Sequence, residues 1–408
     1  MTASTPAAAP PKRLLVAFGT RPEIVKLAPV VRALWEAGHE VRTLATGQHD
    51  DAAMTDSFFA DLGLVPDERF HLVGESAERL GAMTTAVERE LDRRRPDLVL
   101  LLGDTNTVPV VALSARRHRV PVAHLEAGLR SFNATSMEEV NRKVAAACAS
   151  LHLAPTELAA RFLRDEGVHS HRIEVVGNPV VDVLIEMGLD PLPPARRSGT
   201  LVTAHRATNV DDPVRLSLLV DLVLGLAQLL GPVVFPLHPR TRSRLEATGL
   251  LGRLAAPGVD LRVPLPYGEM LGLLRASRVV VTDSGGVQEE ASYFGVPAVV
   301  LRRSTPRWES VELSISRLVG LDVDAALEAA SRFAEEGEQA RVAATPCPYG
   351  DGQTSKRVAR LLAEEATWEL LRLEEPGPSH LPEALAAGPA PLASGSEAPA
   401  RRAPASRP

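Results

Sequence analysis

Short apolar runs, each closed by glycine or a polar residue and each followed by a helical pattern, recur along most of this chain. RLLVAFG (13–19), HEVRTLATG (39–47), PDLVLLLGD (96–104) and HRVPVAHLEAG (118–128) read as strands. IVKLAPVVRALWEAG (24–38), DAAMTDSFFADLG (51–63) and a stretch near Ala77–Arg94 read as the helices between them. Continuous apolar strands separated by helices imply a mainly parallel sheet covered on both faces. Polar residues at strand ends then line one edge, where an open parallel sheet makes its ligand crevice.

The same rhythm resumes further on. After the polar-to-helical segment SMEEVNRKVAAACASLHLAPT (136–156) and HRIEVVGNPVVDVL (171–184), the Pro- and Gly-rich GLDPLPPARRSG has no apolar period and reads as a linker. TLVTAHR, GPVVFPLHP, VDLRVPLP, RVVVTDSGG and VPAVVLR form a second strand series, with helices at SLLVDLVLGLAQLL, EMLGLLRAS and VQEEASYFG. The expected organisation is a flexible 1–12, a Rossmann-like domain over 13–185, a linker over 186–198, a second Rossmann-like domain over 199–355, a bracing helix over 356–373 and a disordered tail from 374. The fold class is α/β, with two doubly wound domains around a cleft suited to a sizeable ligand.

With 408 residues and 45% apolar content the chain can build two cores. A formal charge of −6 argues against a nucleic-acid surface. Two distant cysteines suggest neither a disulfide scaffold nor a cysteine metal site, which suits the cytoplasm. No signal peptide or membrane span is expected.

FGTRPEIVKLAP places Arg21 and Lys26 where the first strand becomes a helix. Cations near a helix N-terminus are unfavourable unless an anion offsets them, so the turn reads as an anion site; solvated surface charge is the plain alternative. Asp104 follows VLLLG, and Glu126 and Arg130 follow the next strand at the same edge. Glu138 and Glu139 open the EEVNR helix, where acids also serve as ordinary helix starters. Clustered carboxylates at strand ends suit acid–base work. In the second series His205 and Arg206 follow TLVTA, His238 follows GPVVFPL, and Ser284-Gly285-Gly286 lets helix-end amides approach phosphate. Glu290, one turn on, has the reach for ribose hydroxyls, with helix capping as the simpler use. No HExxH or tight His/Asp/Glu spacing points to a metal.

FGTRPEIVKLAP, TGQHD, GDTNT, HLEAGLRS, MEEVNR, VVGNPVVD, TAHR, HPR and TDSGGVQEEA stand in the order found in the non-hydrolysing UDP-N-acetylglucosamine 2-epimerases, and the chain resembles that family from about Arg13 to Leu370. The resemblance implies a glycosyltransferase-B arrangement, a homodimer, and interconversion of UDP-GlcNAc and UDP-ManNAc without a cofactor. It implies Asp104, Glu126 and Glu138 as acid–base residues with His205 beside them. Arg21, Lys26, Arg142, Arg206, His238, Ser284–Gly286, Glu290 and Arg307 would line the substrate. Departures are HRATN for HRREN, which puts Thr208 in place of an acid, and TPRWE for TERPE, which introduces Pro306 and Trp308. Ala146-Ala147 replaces a polar pair, and Glu75 replaces a glutamine of a second, activating UDP-GlcNAc site, so weaker substrate activation is expected. A hydrolysing epimerase, a glycosyltransferase and a non-catalytic UDP-sugar-binding protein are the competing readings.

Overall fold

The computed structural model describes residues 9–47, 63–72 and 76–373. The expected helix at 51–63, most of TGQHD, Glu75 and the tail from 374 lie outside the described residues. Seven parallel strands form the first sheet: β1 (Arg13–Phe18), β2 (Glu40–Ala45), β3 (Glu68–Arg69), β4 (Leu98–Leu102), β5 (Val122–Leu125), β6 (Leu151–Ala154) and β7 (Ile173–Val175). Six form the second: β8 (Thr200–Thr203), β9 (Val233–Pro236), β10 (Val259–Arg262), β11 (Val279–Thr282), β12 (Ala298–Val300) and β13 (Ser316–Leu318).

Their orders are β3-β2-β1-β4-β5-β6-β7 and β10-β9-β8-β11-β12-β13. Strand order therefore reverses between β1 and β4 in one sheet and between β8 and β11 in the other, and a crevice opens at such a switch point. Alternation along each strand explains the double cover. In β1, Leu14, Val16 and Phe18 enter one apolar cluster while Leu15 and Ala17 enter another on the opposite face. In β11, Val279 and Val281 face one side of the second sheet and Val280 the other. The two-sheet α/β architecture is the one the sequence led us to expect.

The helix Pro213–Leu230 has the length and apolarity to span a membrane, but here Leu216, Leu219, Leu222 and Leu226 bury it in the second core.

Three features modify the sequence reading. The segment 136–156 contains both the helix Met137–Cys148 and β6, since LHLA is too short to show strand character by itself. The helix Pro179–Glu186 sends Val180, Val181 and Leu184 into the second sheet's core, so the chain crosses over just after Asn178. The C-terminal helix is two helices, Thr354–Ala363 and Glu365–Leu371, broken where Glu364 turns extended. Val358, Leu362 and Leu371 return to the first core against Leu27 and Leu34, which gives the chain a second crossing.

Candidate active site

Between the sheets lies a cavity of about 230 Å³. Its wall includes Thr20, Glu23 and Lys26 after β1, Asp104 and Thr105 after β4, and Glu126 after β5. From the second half come Arg206 after β8, Gly285 and Gly286 after β11, and Arg302, Pro306 and Arg307 after β12. Glu138 and Arg142 complete it from the helix Met137–Cys148. Both switch points thus open into one space.

Glu126 sits at φ 60°, a strained conformation for a residue with a side chain. The turn can follow because Gly128 adopts φ +82° with only 2.2 Å between an added Cβ and the Ala159 carbonyl, leaving no room for any other residue. In this turn the Glu126 carboxylate is buried at the cavity wall. Lys26 Nζ donates to Glu126, Arg307 stands 3.6 Å away and Asn178 Nδ2 donates at 3.0 Å. Burial alone would raise the Glu126 carboxyl, but Lys26 and Arg307 override it and hold it at about 2. Lys26 is in turn pushed up to about 12, Glu126 and Glu289 outweighing its own burial.

Asp104 pairs with the Arg142 guanidinium, which also donates to Glu139 at 2.6 Å. Of the two acids opening that helix, Glu139 is buried and accepts from Ser131 N–H at 2.8 Å, whereas Glu138 faces Arg206 at 3.6 Å across the cleft. Burial opposes ionisation of Glu138, but hydrogen bonds, led by that from Ser136, and the charges of Arg206 and Arg142 keep its carboxyl below the usual range.

In the second half, Asp283 is the organiser. It is fully buried and accepts from the His205 and Arg206 backbone N–H groups at 3.1 and 2.9 Å and from Asn209 Nδ2 at 3.1 Å. His205 Nδ1 lies 3.3 Å from Asp283 and its ring packs 5.2 Å from that of His238. Burial depresses the His205 imidazole despite Asp283, favouring its neutral form. His238 caps the helix Pro239–Ala247, accepting from Arg240 N–H at 3.2 Å, and neither it nor His205, Ser284 or Glu290 is part of the cavity wall. Ser284 stands at the N-terminal boundary of the helix Gly285–Phe294 without a side-chain capping bond. The Arg307 guanidinium lies 3.3 Å from where a Cβ on Gly285 would be, so this glycine leaves room for the arginine. Glu290 accepts from Tyr267 Oη at 2.8 Å, and burial pushes its carboxyl up to about 7.

Some expectations are redrawn. At the Gly-Thr turn the N–H groups of Gly19 and Thr20 already donate to Glu23, at 2.9 and 2.7 Å, so an internal carboxyl fills that part of the expected anion site. Arg21, the first residue of its helix, is outside the cavity wall. Arg130 does not reach the crevice: it is fully buried and grips Glu166 at 2.6 and 2.7 Å. Sequence reasoning missed Glu289, Asn178, Arg302 and Asp283. The last three lie just past strands in the motifs VVGNP, VVLR and TDSGG, so their strand-end positions were the available signal.

A family model described as UDP-N-acetylglucosamine 2-epimerase matches residues 32–363. The chain belongs to that family. Among the relatives of this epimerase-family protein is the Methanocaldococcus jannaschii UDP-N-acetylglucosamine 2-epimerase, 34% identical over 86% of this chain and 98% of its own. Its structure in complex with UDP-GlcNAc and UDP aligns with TM-score 0.78, covering 86% of this chain and 99% of that one. The Neisseria meningitidis enzyme bound to UDP-GlcNAc aligns at 30% identity with TM-score 0.77, covering 86% and 99%. A Pseudomonas aeruginosa UDP-2,3-diacetamido-2,3-dideoxy-D-glucuronate 2-epimerase is 36% identical over 86% of this chain and 99% of its own. Family membership thus spans more than one sugar.

Some departures from the family motifs have structural uses here. Trp308 Nε1 donates to the Arg130 carbonyl at 2.8 Å, and Glu309 accepts from Thr156, so the TPRWE loop is tied to the first half. Thr208 accepts from Arg215 only through its backbone carbonyl, which any residue would supply, so nothing in the structure explains its side chain. Ala146 packs against the cluster around Leu129 and Leu163.

Proposed function

We propose that the protein interconverts UDP-GlcNAc and UDP-ManNAc by eliminating and re-adding UDP. The C2 proton has no adjacent carbonyl to acidify it, so simple deprotonation would leave an unstabilised carbanion. Departure of UDP from C1 removes that difficulty. A carboxylate takes the C2 proton, the C1–O pair leaves with UDP, and 2-acetamidoglucal remains; re-addition with protonation on the other face of C2 gives the epimer. The observation that carries this reading is a single cavity holding Asp104, Glu126 and Glu138 beside Arg206, Arg302, Arg307 and the Gly285-Gly286 helix end.

In this reading Asp104 and Glu126 exchange the C2 proton on opposite faces and Glu138 supports them. His205, Arg206, Arg302, Arg307 and the Ser284–Gly286 amides hold the diphosphate, with Arg21 and His238 at its margin. Glu290 accepts from the ribose. Lys26 and Arg142 set the charge of the acids. The two halves close over the substrate through the crossings after Asn178 and near Thr354, retaining UDP and glycal until they rejoin.

The homodimer is proposed through the helices Ser76–Arg94, Thr107–Arg117 and Met137–Cys148. They leave Leu80, Leu113 and Met137 exposed around a groove of about 1070 Å³. The free thiols Cys148 and Cys347 suit a cytoplasmic enzyme.

The test is incubation in deuterated water with UDP-GlcNAc, UDP-ManNAc and the 2,3-diacetamido uronate analogue, followed by NMR at C2. Deuterium at C2 with retained UDP-sugar supports the reading, and the panel reports the preferred sugar. Stoichiometric free sugar, or binding without C2 exchange, overturns it.

A further inference from the structure

Lys26, Glu126, Asn178, Glu289 and Arg307 form a buried network at the floor of the cleft. Lys26 Nζ donates to Glu126 and, at 2.6 Å, to Glu289. Arg307 Nε donates to Glu289 at 2.8 Å, while its Nη2 end stands 3.6 Å from Glu126. Asn178 Nδ2 reaches Glu126 at 3.0 Å and Glu289 at 3.2 Å. Three of these residues come from the first half and two from the second, so the network spans the cleft.

Glu289 is completely buried, with no surface open to the cleft. It nevertheless holds both cations that flank Glu126. A guanidinium anchored at Nε still presents its two terminal nitrogens, and the small Gly285 lets Arg307 lie against the helix end where phosphate oxygens would arrive. Without Glu289, two buried cations would direct their full charge at one carboxylate, making it a weaker base and leaving Arg307 free to choose another orientation.

We propose that Glu289 is a positioning residue of the epimerase site: it fixes Lys26 and Arg307 and shares their charge, so that Glu126 regains basicity when the substrate diphosphate draws on Arg307. This rests on the epimerase reading above. In the step it supports, the proton passes from C2 to a Glu126 carboxylate oxygen while the C1–O electron pair departs with UDP. The proton comes back from a carboxyl when UDP re-adds. Other groups near Glu289 are Glu290 on its own helix, Glu309, Tyr267, Tyr349 and Cys347. Glu126 additionally faces His124.

The deciding experiment is the pH dependence of C2 exchange in the full chain carrying Glu289→Gln, with Glu289→Asp as the charge-retaining control. The expected result is a kcat about 30-fold lower with KM changed by less than about 3-fold, and an acid limb moved to lower pH because Glu126 then faces both cations alone. Glu289→Asp should recover most of the rate and return the limb toward its original place. A Glu289→Gln profile that superimposes on the unsubstituted protein, or a lower kcat with an unmoved limb, overturns the proposal. If Glu289→Gln does not fold, Glu289→Asp decides: its shorter carboxylate keeps the charge but cannot span Lys26 and Arg307 equally, so a kcat lowered about 3-fold with a small shift of the acid limb to lower pH supports the assignment, and a rate and profile identical to those of the unsubstituted protein end it. Absence of C2 exchange in the unsubstituted protein would instead overturn the epimerase reading and this assignment together.

Discussion

The indole N–H of Trp308 donates to the carbonyl of Arg130 at 2.8 Å, joining the loop after β12 to the loop after β5. Arg307, one residue earlier, faces Glu126, and Glu126 begins the segment that ends at Arg130. The bond therefore braces both sides of the Arg307–Glu126 contact. Trp308→Phe keeps most of the ring and removes the donor, a change of about 1 kcal/mol. A decrease in kcat/KM of about 5-fold is expected in steady-state assays, with the fold intact by circular dichroism.

Asp104 lines the cavity, paired with Arg142, and is more open than Glu126, which Lys26 and Arg307 enclose. Asp104→Asn retains shape and removes the carboxylate to which the proposed reaction assigns C2 proton transfer. C2 exchange should fall by about 10²–10⁴-fold, while UDP affinity measured by calorimetry changes little. Equal losses in both quantities would mean that Asp104 binds and does not transfer protons.

Arg302 has its guanidinium pushed down to about 10 by burial and by the neighbouring Arg206 and Arg307. Three cations held this close are relieved by an anion. Arg302→Met should raise the dissociation constant for UDP by about 10–100-fold, the loss of one charge-assisted contact, and should weaken the salt dependence of binding.

Glu23 supplies a stability test. Burial outweighs hydrogen bonds from Thr105, Gly19 and Thr20 and raises its carboxyl to about 7, against 4.5 when unfolded. Because the folded value is the higher one, the folded chain holds this proton more tightly. That contribution is complete below pH 4.5, diminishes as the unfolded chain ionises, and is gone above about pH 7. Glu290 is raised to the same value and adds to the slope. Glu23→Gln should flatten the fall of Tm between pH 5 and 7, leaving the part due to Glu290. An unaltered slope would mean that Glu23 is ionised in the folded protein.

The legible and illegible parts of the site divide along physical lines. Strand ends were legible because a buried apolar run must stop where polar residues begin, which placed Lys26, Asp104, Glu126, Arg206 and Gly285 on one edge. The partners of those residues were not. Glu289 is 263 residues from Lys26 and Asn178 is 52 from Glu126, separations that carry no local periodicity. Adjacent helix positions also diverge by about 100°, so the apolar pattern alone could not resolve the EE pair at 138–139 into a cleft-facing Glu138 and a buried Glu139, and at 289–290 both members are buried. Arg130 misled for a similar reason: LRS looks like a strand-end cation, and only the fold brings Glu166 to it. The helix Pro179–Glu186 belongs with the second core because its apolar face meets Leu201 and Leu271, a contact invisible in an apolar pattern that suits either half.

The central claim is that the C1–O bond breaks and re-forms during inversion at C2. Positional isotope exchange measures this directly, using UDP-GlcNAc carrying ¹⁸O in the bridge between C1 and the terminal phosphate. Once UDP is released within the closed cleft its terminal phosphate oxygens become equivalent, so the label should move from bridging to non-bridging positions as UDP-ManNAc appears. Inversion at C2 with the label retained entirely in the bridge would contradict the account.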